Sequence, residues 1–188
     1  MQGTEDSEVQ MHIQACLSGV KAKNVFEILK DPSYREKIGR PPKIFEIVEQ
    51  TSPNSDVLYL EIDLPSPLMN RDFVQKRLYY GNRENPELVD LLNLYKVDHR
   101  YYIIIIESTE RPEYPEKDKP VRGETVINYT LIEEDPNDKD LTHVKILFHQ
   151  RLNGNVPKGV LGKAVSQMPC KMMGALLECH KKFFDEEI

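Results

Sequence analysis

The sequence lacks any hydrophobic run long enough to cross a membrane. A membrane-spanning helix needs about 18 or more consecutive apolar residues, and no stretch of this chain reaches that length. The first ten residues, MQGTEDSEVQ, are polar and acidic, unlike the apolar centre of a secretory signal. Both absences predict a soluble protein.

Cysteine is also scarce, with three residues, Cys16, Cys170 and Cys179, in a chain of 188. If one helix carries Cys170 and Cys179, their positions lie about 13 Å apart along its axis, which is too far for a disulfide. An odd and sparse set of thiols is typical of a reducing compartment. We therefore expect a cytoplasmic protein with unpaired cysteines.

Positive charge is in deficit. The chain has 25 Lys and Arg against 31 Asp and Glu, a formal net charge of −6 and a pI of about 5.5. Domains that bind nucleic acids usually carry a basic excess, so we expect no nucleic-acid partner.

The residue patterns of common catalytic and metal sites are missing too. The five histidines have no metal-ligand spacing, and His143 and His149 fall on the polar side of one predicted strand. The chain contains no glycine-rich phosphate loop, no G-x-S-x-G turn and no Cys-His signature. These absences predict no catalytic residue, no metal and no cofactor, and therefore a protein that is not an enzyme.

The sequence does contain the hydrophobic periodicity of an α+β domain. Short helices are predicted at 21–29 and 31–38 and a long one at 157–184, whereas residues 81–98 fit a helix or a loop. Strands are predicted at residues 9–17, 43–50, 56–63, the second half of 64–80, 101–107, 121–132 and 142–152. A run of strands before one long helix suggests a curved antiparallel sheet wrapped around that helix. Residues 101–107, YYIIIIE, are apolar on both faces and predict a central strand. We expect a flexible tail at 1–8 and one domain at 9–188.

The last predicted helix is amphipathic and basic. Its apolar residues, including Met168 and Met172, recur at steps of three and four positions. Between positions 157 and 182 it carries five lysines and one glutamate, a net charge of +4. Such a helix either packs on a core with a solvated polar face or touches an anionic membrane surface. The methionines suit core packing or a variable apolar ligand.

Residues 64–80, LPSPLMNRDFVQKRLYY, place a positive charge among aromatic residues. Side chains alternate along a strand, so Arg77 shares a face with Phe73 and Tyr79. A pair with Glu61 on the preceding strand would neutralise a buried charge that is otherwise costly. Alternatively, Arg77 is a surface residue in a strand of mixed charge.

Several segments in chain order resemble the START domain, the lipid-transfer family named for steroidogenic acute regulatory protein. They are KAKNVFEILKDPSYREK, MNRDFVQKR, VRGE at 121–124 and NGNVPKGVLGKAV, and the likeness extends from about residue 9 to residue 184. The spacing from Glu61 through PSPLMNRDFV is especially similar to the phosphatidylcholine transfer protein branch.

The resemblance implies a helix-grip fold, in which a U-shaped antiparallel sheet closes around a hydrophobic tunnel and the C-terminal helix forms a lid. Glu61 and Arg77 match an acid–base pair that the family buries in the tunnel. Leu68 and Met69 match the tip of a loop at 64–70 beside the tunnel mouth, which would touch membranes together with the C-terminal helix. The implied lipid-binding residues are Glu61, Phe73, Arg77, Tyr79, Asn128, Met168 and Met172.

The resemblance also implies a function, the binding and transfer of one lipid, with a phospholipid as first choice and a sterol as second. Two alternatives are a lipid-sensing module of a larger protein and a cyclase-type enzyme on the same fold. The sequence departs from the family in several places. Tyr79 stands where phosphatidylcholine binders have a phosphate-contacting arginine, and Gln150 replaces a usual aspartate. Tryptophan and the family's first helix are missing. These departures bear on ligand identity more than on fold.

Overall fold

The computed structural model describes residues 8–31, 33–34, 42–64, 66, 68–87, 97–154 and 156–184 of the chain. Its strands are β1 (Glu8–Ser18), β2 (Ile44–Ser52), β3 (Ser55–Ile62), β4 (Arg71–Gly81), β5 (Tyr101–Ser108), β6 (Val121–Arg122), β7 (Glu124–Glu134) and β8 (Leu141–Arg151). Its helices include α1 (Ala22–Lys30) and α2 (Lys158–Phe183). The predicted short helix at 31–38, the undecided stretch at 81–98 and the predicted tail at 1–8 lie partly outside the described residues.

The strands form one sheet in the order β1-β8-β7-β5-β4-β3-β2, and all neighbours in this order are antiparallel. The short strand β6 pairs in parallel with β4. Strand β5 occupies the middle of the order, and its residues from Tyr101 to Ile104 are buried on both sides of the sheet. A strand that is apolar on both faces must be covered on both, so the predicted central strand is confirmed.

The side of the sheet that carries α1 and α2 is called the inner face here. It holds the main core, in which Ile104, Ile132, Val144 and Ile146 are buried under the two helices. The ring of Phe26 on α1 stacks on that of Tyr102, with 4.5 Å between the ring centres. The predicted α+β class, a curved antiparallel sheet with a terminal helix, is therefore confirmed.

Helix α2 is held unequally along its length. Near its C-terminus, Leu176, Cys179 and His180 are buried, and the His180 ring lies 3.3 Å from the side-chain amide of Asn24 on α1. In the preceding two-thirds of the helix, no residue whose side chain is described is fully buried. Helix α2 is thus anchored at one end and more loosely packed at the other. None of the helices in the described part of the chain is long and apolar enough to span a membrane.

The predicted strand at 121–132 is divided at Gly123, which separates β6 from β7. The N–H of Gly123 donates to the carbonyl of Asp72 at 2.8 Å, which brings this backbone against β4. A Cβ atom at position 123 would lie 2.3 Å from the ring of Phe73. The absence of a side chain therefore permits the close approach, and alternation in the sequence does not reveal it.

This close approach predicts that Gly123→Ala destabilises the protein. The Phe73 ring is buried and has little room to move, so we expect the free energy of unfolding to fall by about 1–3 kcal/mol. Gly174→Ala is the matched control, because a Cβ at that position of α2 meets nothing within 4 Å. The control should gain about 0.5–1 kcal/mol from helix propensity. Urea unfolding followed by circular dichroism measures both, and equal stability of the two variants would contradict the expectation.

Candidate functional site

One row of residues crosses the inner face from strand to strand. Residues directly opposite each other in an antiparallel pair have their side chains on the same side of the sheet. The strand register joins Asp56 to Arg77, and continues through Ile106, Asn128, Phe148 and Met11. We call these six residues the central row. Arg77 and Asn128, two of the predicted site residues, are therefore brought onto one wall.

Arg77 is buried at one end of the central row and is bonded on three sides. Its Nε and one terminal nitrogen donate to the two carboxylate oxygens of Asp56, at 2.7 and 2.6 Å. The side chains of Arg77 and Asp56 are 3% and 1% exposed. The other terminal nitrogen donates to the carbonyl of Lys30 at 3.0 Å, the last residue of α1. A guanidinium at a helix C-terminus is favourable because the last carbonyls carry partial negative charge. Arg77 thus joins β3, β4 and α1.

The predicted pair between Glu61 and Arg77 is wrong. The register places Asp56 opposite Arg77 and Glu61 opposite Asp72. Glu61 and Asp56 are an odd number of positions apart on β3, so their side chains lie on opposite faces of the sheet. Glu61 accepts instead from Lys43 Nζ at 2.7 Å, and this hydrogen bond holds the pKa of Glu61 below its usual value. The strand predicted at 56–63 carries three acidic residues, and the register places Asp56 opposite Arg77.

Phe73 and Tyr79 lie on the inner face, as predicted, and both are buried in the main core. The Tyr79 hydroxyl accepts from the side-chain amide of Gln50 at 2.9 Å, and burial raises the pKa of Tyr79. The ammonium group of Lys30 lies 4.7 Å from the centre of the Tyr79 ring. Sequence reasoning missed Lys30, because its charge reaches this wall only through the packing of α1 over β4.

Asn128 lies in the middle of the central row with an unsatisfied acceptor. Its Oδ1 atom is buried and has no hydrogen-bond partner among the described residues. An unpaired buried polar group costs about 1–3 kcal/mol, so a donor from a bound molecule would be stabilising there. Thr125 lies three positions before Asn128 on β7. Its hydroxyl accepts from the side-chain amides of Gln75 and Gln150, at 2.6 and 3.0 Å. These neighbouring groups are uncharged.

The structure divides the remaining predicted site residues between two places. Met168 and Met172 on α2 are half-buried and pack against the main core. Leu68 packs against the same core, whereas Met69 next to it is 43% exposed. Leu68, Met69 and Glu61 also line an open groove of about 710 Å³ between the loop at 64–70 and the segment at 113–120. Glu61 therefore belongs to this groove and not to the wall that carries Arg77.

Arg71 connects the loop at 64–70 to the segment that leads into α2. Its guanidinium is buried and donates to the carbonyls of Met69, Leu152 and Asn153. Burial lowers the pKa of Arg71. One side chain thus joins the loop to the residues that follow β8, ahead of α2. Among the described residues, no three His, Cys, Asp or Glu side chains are grouped so that they could hold a metal ion.

The geometry predicts different costs for removing the two acidic residues of β3. Asp56→Asn leaves the buried Arg77 charge without a counter-ion, which should lower the free energy of unfolding by about 3–5 kcal/mol. Glu61→Gln breaks a pair whose lysine is half exposed, and should cost about 1 kcal/mol or less. Denaturant unfolding of both variants measures the difference.

A double variant keeps the test informative if Asp56→Asn fails to fold. Asp56→Leu combined with Arg77→Met removes both charges, and we expect it to be more stable than Asp56→Asn alone. A larger loss of unfolding free energy for Glu61→Gln than for Asp56→Asn would contradict Asp56 as the partner of Arg77.

Comparison with known proteins adds an independent finding. The START domain family matches residues 4–183 of the chain. Mouse phosphatidylcholine transfer protein is 27% identical over 171 residues, which cover 88% of this chain and 72% of that protein.

Solved structures share the fold at lower identity. The crystal structure of human STARD10 superposes with a TM-score of 0.74 at 23% identity, covering 94% of this chain and 64% of that one. The Zhui aromatase/cyclase from Streptomyces superposes with a TM-score of 0.55 at 14% identity, covering 93% and 95%. The chain therefore spans less than two-thirds of the STARD10 chain. Since the family match covers almost the whole sequence, the chain belongs to the START domain family.

Proposed function

We propose that the protein binds one lipid between the inner face and α2 and transfers it between membranes, without covalent chemistry. The observation that carries this proposal is the incomplete burial of apolar side chains on both the sheet and α2. Met11, Ala15 and Ile106 on the sheet and Met168 and Met172 on α2 pack against the main core but are only half-buried. An acyl chain placed there would cover them, and removal of apolar surface from water is the dominant driving force for such binding.

The energetics of transfer follow from this arrangement. A lipid that leaves a bilayer for an apolar cavity exchanges one apolar environment for another, so its free energy changes little. The rate then depends on how readily the interior opens. Because α2 is anchored at Leu176, Cys179 and His180, we propose that it opens at its N-terminal end, where no described side chain is fully buried.

A phospholipid is the favoured cargo and a sterol the second choice. Asp56 and Arg77 neutralise each other, so the Lys30 ammonium over Tyr79 supplies one additional positive charge at this end of the inner face. A lipid phosphate would pair with this ammonium group. Lys30 would then supply the positive charge that an arginine at the position of Tyr79 supplies in phosphatidylcholine binders. The name of the mouse relative, phosphatidylcholine transfer protein, agrees with this choice. A sterol hydroxyl could instead donate to the unpaired Oδ1 of Asn128.

Membrane contact is proposed through the loop at 64–70 and α2. Met69 projects into solvent from the loop, and Lys163 and Lys171 on α2 are exposed. An apolar tip beside exposed lysines suits an anionic bilayer surface. We further propose that the protein works in the cytoplasm.

Two alternatives make different demands on the same interior. A cyclase-type enzyme, like the Streptomyces protein with the same fold, would need an acid or base beside its substrate. The polar cluster of Gln75, Thr125 and Gln150 is uncharged, and Asp56 is tied to Arg77, so this reading has less support. A lipid-sensing module of a larger protein would bind lipid but fail to transfer it, which a vesicle assay distinguishes.

The proposed cavity predicts that a charge on the inner side of α2 abolishes lipid binding. We expect purified protein to carry one lipid, seen by native mass spectrometry and lipid extraction, and to move lipids between donor and acceptor vesicles. Met168→Asp and Met172→Asp should lower loading and transfer at least about tenfold, because each buries a carboxylate against an acyl chain. Leu177→Asp, at an exposed position of the same helix, should leave both unchanged. Protein without bound lipid, and without transfer for any lipid class, would overturn the proposal.

The proposed role of Lys30 predicts a change in headgroup selectivity. Lys30→Gln should weaken binding of phospholipids about tenfold by removing a charged partner of the phosphate, while sterol binding is kept. Lys23→Gln is the matched control, because Lys23 is exposed on the same helix. Competition between lipid classes in mixed vesicles, read by mass spectrometry, measures the ratio. An unchanged ratio for Lys30→Gln would remove Lys30 from the headgroup site but leave lipid carriage intact.

A further inference from the structure

Three side chains on the outer face of the sheet, the side away from α1 and α2, form a connected set unrelated to the lipid interior. Cys16 on β1 and His143 on β8 are directly opposite each other in the strand register, and the Cys16 Sγ atom lies 3.3 Å from His143 Nδ1. The other ring nitrogen, Nε2, lies 2.8 Å from an oxygen of Asp135. A thiol, an imidazole and a carboxylate joined in this order make the arrangement in which a base activates a nucleophile and an acid orients the base.

The positions of the protons follow from the carboxylate. Asp135 lies in the turn between β7 and β8, where its Oδ1 accepts from the backbone N–H groups of Asn137 and Asp138, at 2.8 and 3.1 Å. Together with the bond from His143, these donors hold the pKa of Asp135 below its usual value. An ionised carboxylate only accepts hydrogen bonds, so His143 Nε2 must carry the proton that is shared with it. In the neutral imidazole, Nδ1 is then free to accept the proton of the Cys16 thiol.

The surroundings of His143 leave this arrangement intact. Glu133 on β7 is opposite His143 in the register, and its carboxylate is paired with Lys145 at 2.9 Å and with His99 at 3.5 Å. The nearest titratable side chain on the outward face of β1 is His12, which is exposed. Cys16 itself is exposed, so a dissolved reagent can reach the sulfur.

We propose that Cys16 is a reactive thiol, activated by His143 and Asp135, that is modified by low-molecular-weight disulfides through thiol–disulfide exchange. In the step, His143 Nδ1 takes the thiol proton, and the Cys16 sulfur attacks one sulfur of the incoming disulfide. A new S–S bond forms between Cys16 and that sulfur while the original S–S bond breaks. The second half leaves as a thiolate and takes up the proton. The sulfur of the disulfide supplies the oxidising equivalents, so no other co-reactant is needed.

The site is separate from the proposed lipid interior. Side chains alternate along β1, so Ala15 and Leu17 on either side of Cys16 point to the inner face while Cys16 points outward. A mixed disulfide at Cys16 therefore adds its bulk on the solvent side of the sheet. Modification and lipid loading are expected to be independent of each other, and they can be measured separately.

Oxidised glutathione is the probe, and the chain contains its own reference thiol. Cys170 is exposed on α2, and the described residues give it no hydrogen bond of the kind that Cys16 makes. Peptide mapping by mass spectrometry follows glutathione addition at both positions in the full chain. We expect Cys16 to react at least about tenfold faster than Cys170 at neutral pH.

Variants separate activation by His143 from simple exposure. His143→Gln should lower the Cys16 rate to that of Cys170 and leave the Cys170 rate unchanged, and Asp135→Asn should lower the Cys16 rate in part. His149→Gln is the matched control, because His149 lies on the outer face of the same strand. Circular dichroism and the unchanged Cys170 rate report whether each variant is folded.

A pH profile adds a readout that a merely structural role would not change. Between about pH 8 and pH 6.5, an ordinary thiol loses reactivity about tenfold per pH unit, because only the thiolate attacks. We expect the Cys16 rate to fall less steeply than the Cys170 rate, and the difference to vanish in His143→Gln. Equal rates at Cys16 and Cys170, or a Cys16 rate that His143→Gln does not change, would overturn the proposal whatever the outcome for lipid binding.

Discussion

The buried pair of Asp56 and Arg77 is the interaction on which the arrangement of the interior depends. A guanidinium that is almost entirely removed from water must have its charge balanced and its N–H groups bonded, or the folded state loses several kcal/mol. Here the balance comes from β3 and the additional acceptor, the Lys30 carbonyl, comes from α1. The side chain of Arg77 on β4 therefore fixes the positions of both the neighbouring strand β3 and the helix α1.

That constraint also determines which part of the inner face α1 covers. With its C-terminus bound to Arg77, α1 covers the part of the inner face around Tyr79 and Tyr102, where Phe26 contacts both rings. Ile106, Phe148 and Met11 of the central row belong to the same core as Met168 and Met172 of α2. Arg77, which the sequence suggests as a ligand anchor, is thus first of all a residue that connects β3, β4 and α1.

The features that could be predicted from the sequence are those that depend on one strand alone, and the missed features depend on the pairing of two strands. Alternation along single strands was enough to place Phe73, Arg77 and Tyr79 on one face and to identify β5 as central, because each decision needs one strand. The partner of Arg77 needs the register between two strands, and a shift of one residue exchanges the faces. Glu61 and Asp56 are both acidic and both on β3, so residue type could not decide between them. The meeting of Cys16 with His143, far apart in the chain, likewise exists only in the register.

Strand alternation also separates the apolar inner face from the reactive group proposed on the outer face of the same sheet. On β1, neighbouring positions carry Ala15 toward the interior and Cys16 toward water, so a proton-transfer group and an apolar wall share one backbone. Arg71, at the start of β4, instead connects two separate segments. Its guanidinium binds carbonyls of both the loop at 64–70 and the segment before α2. A displacement of the loop must therefore move these carbonyls together or break the bonds of a buried cation. Through Arg71, the proposed contact of Met69 with a bilayer would be transmitted to the segment that precedes α2, and so to the proposed opening of this helix at its N-terminal end.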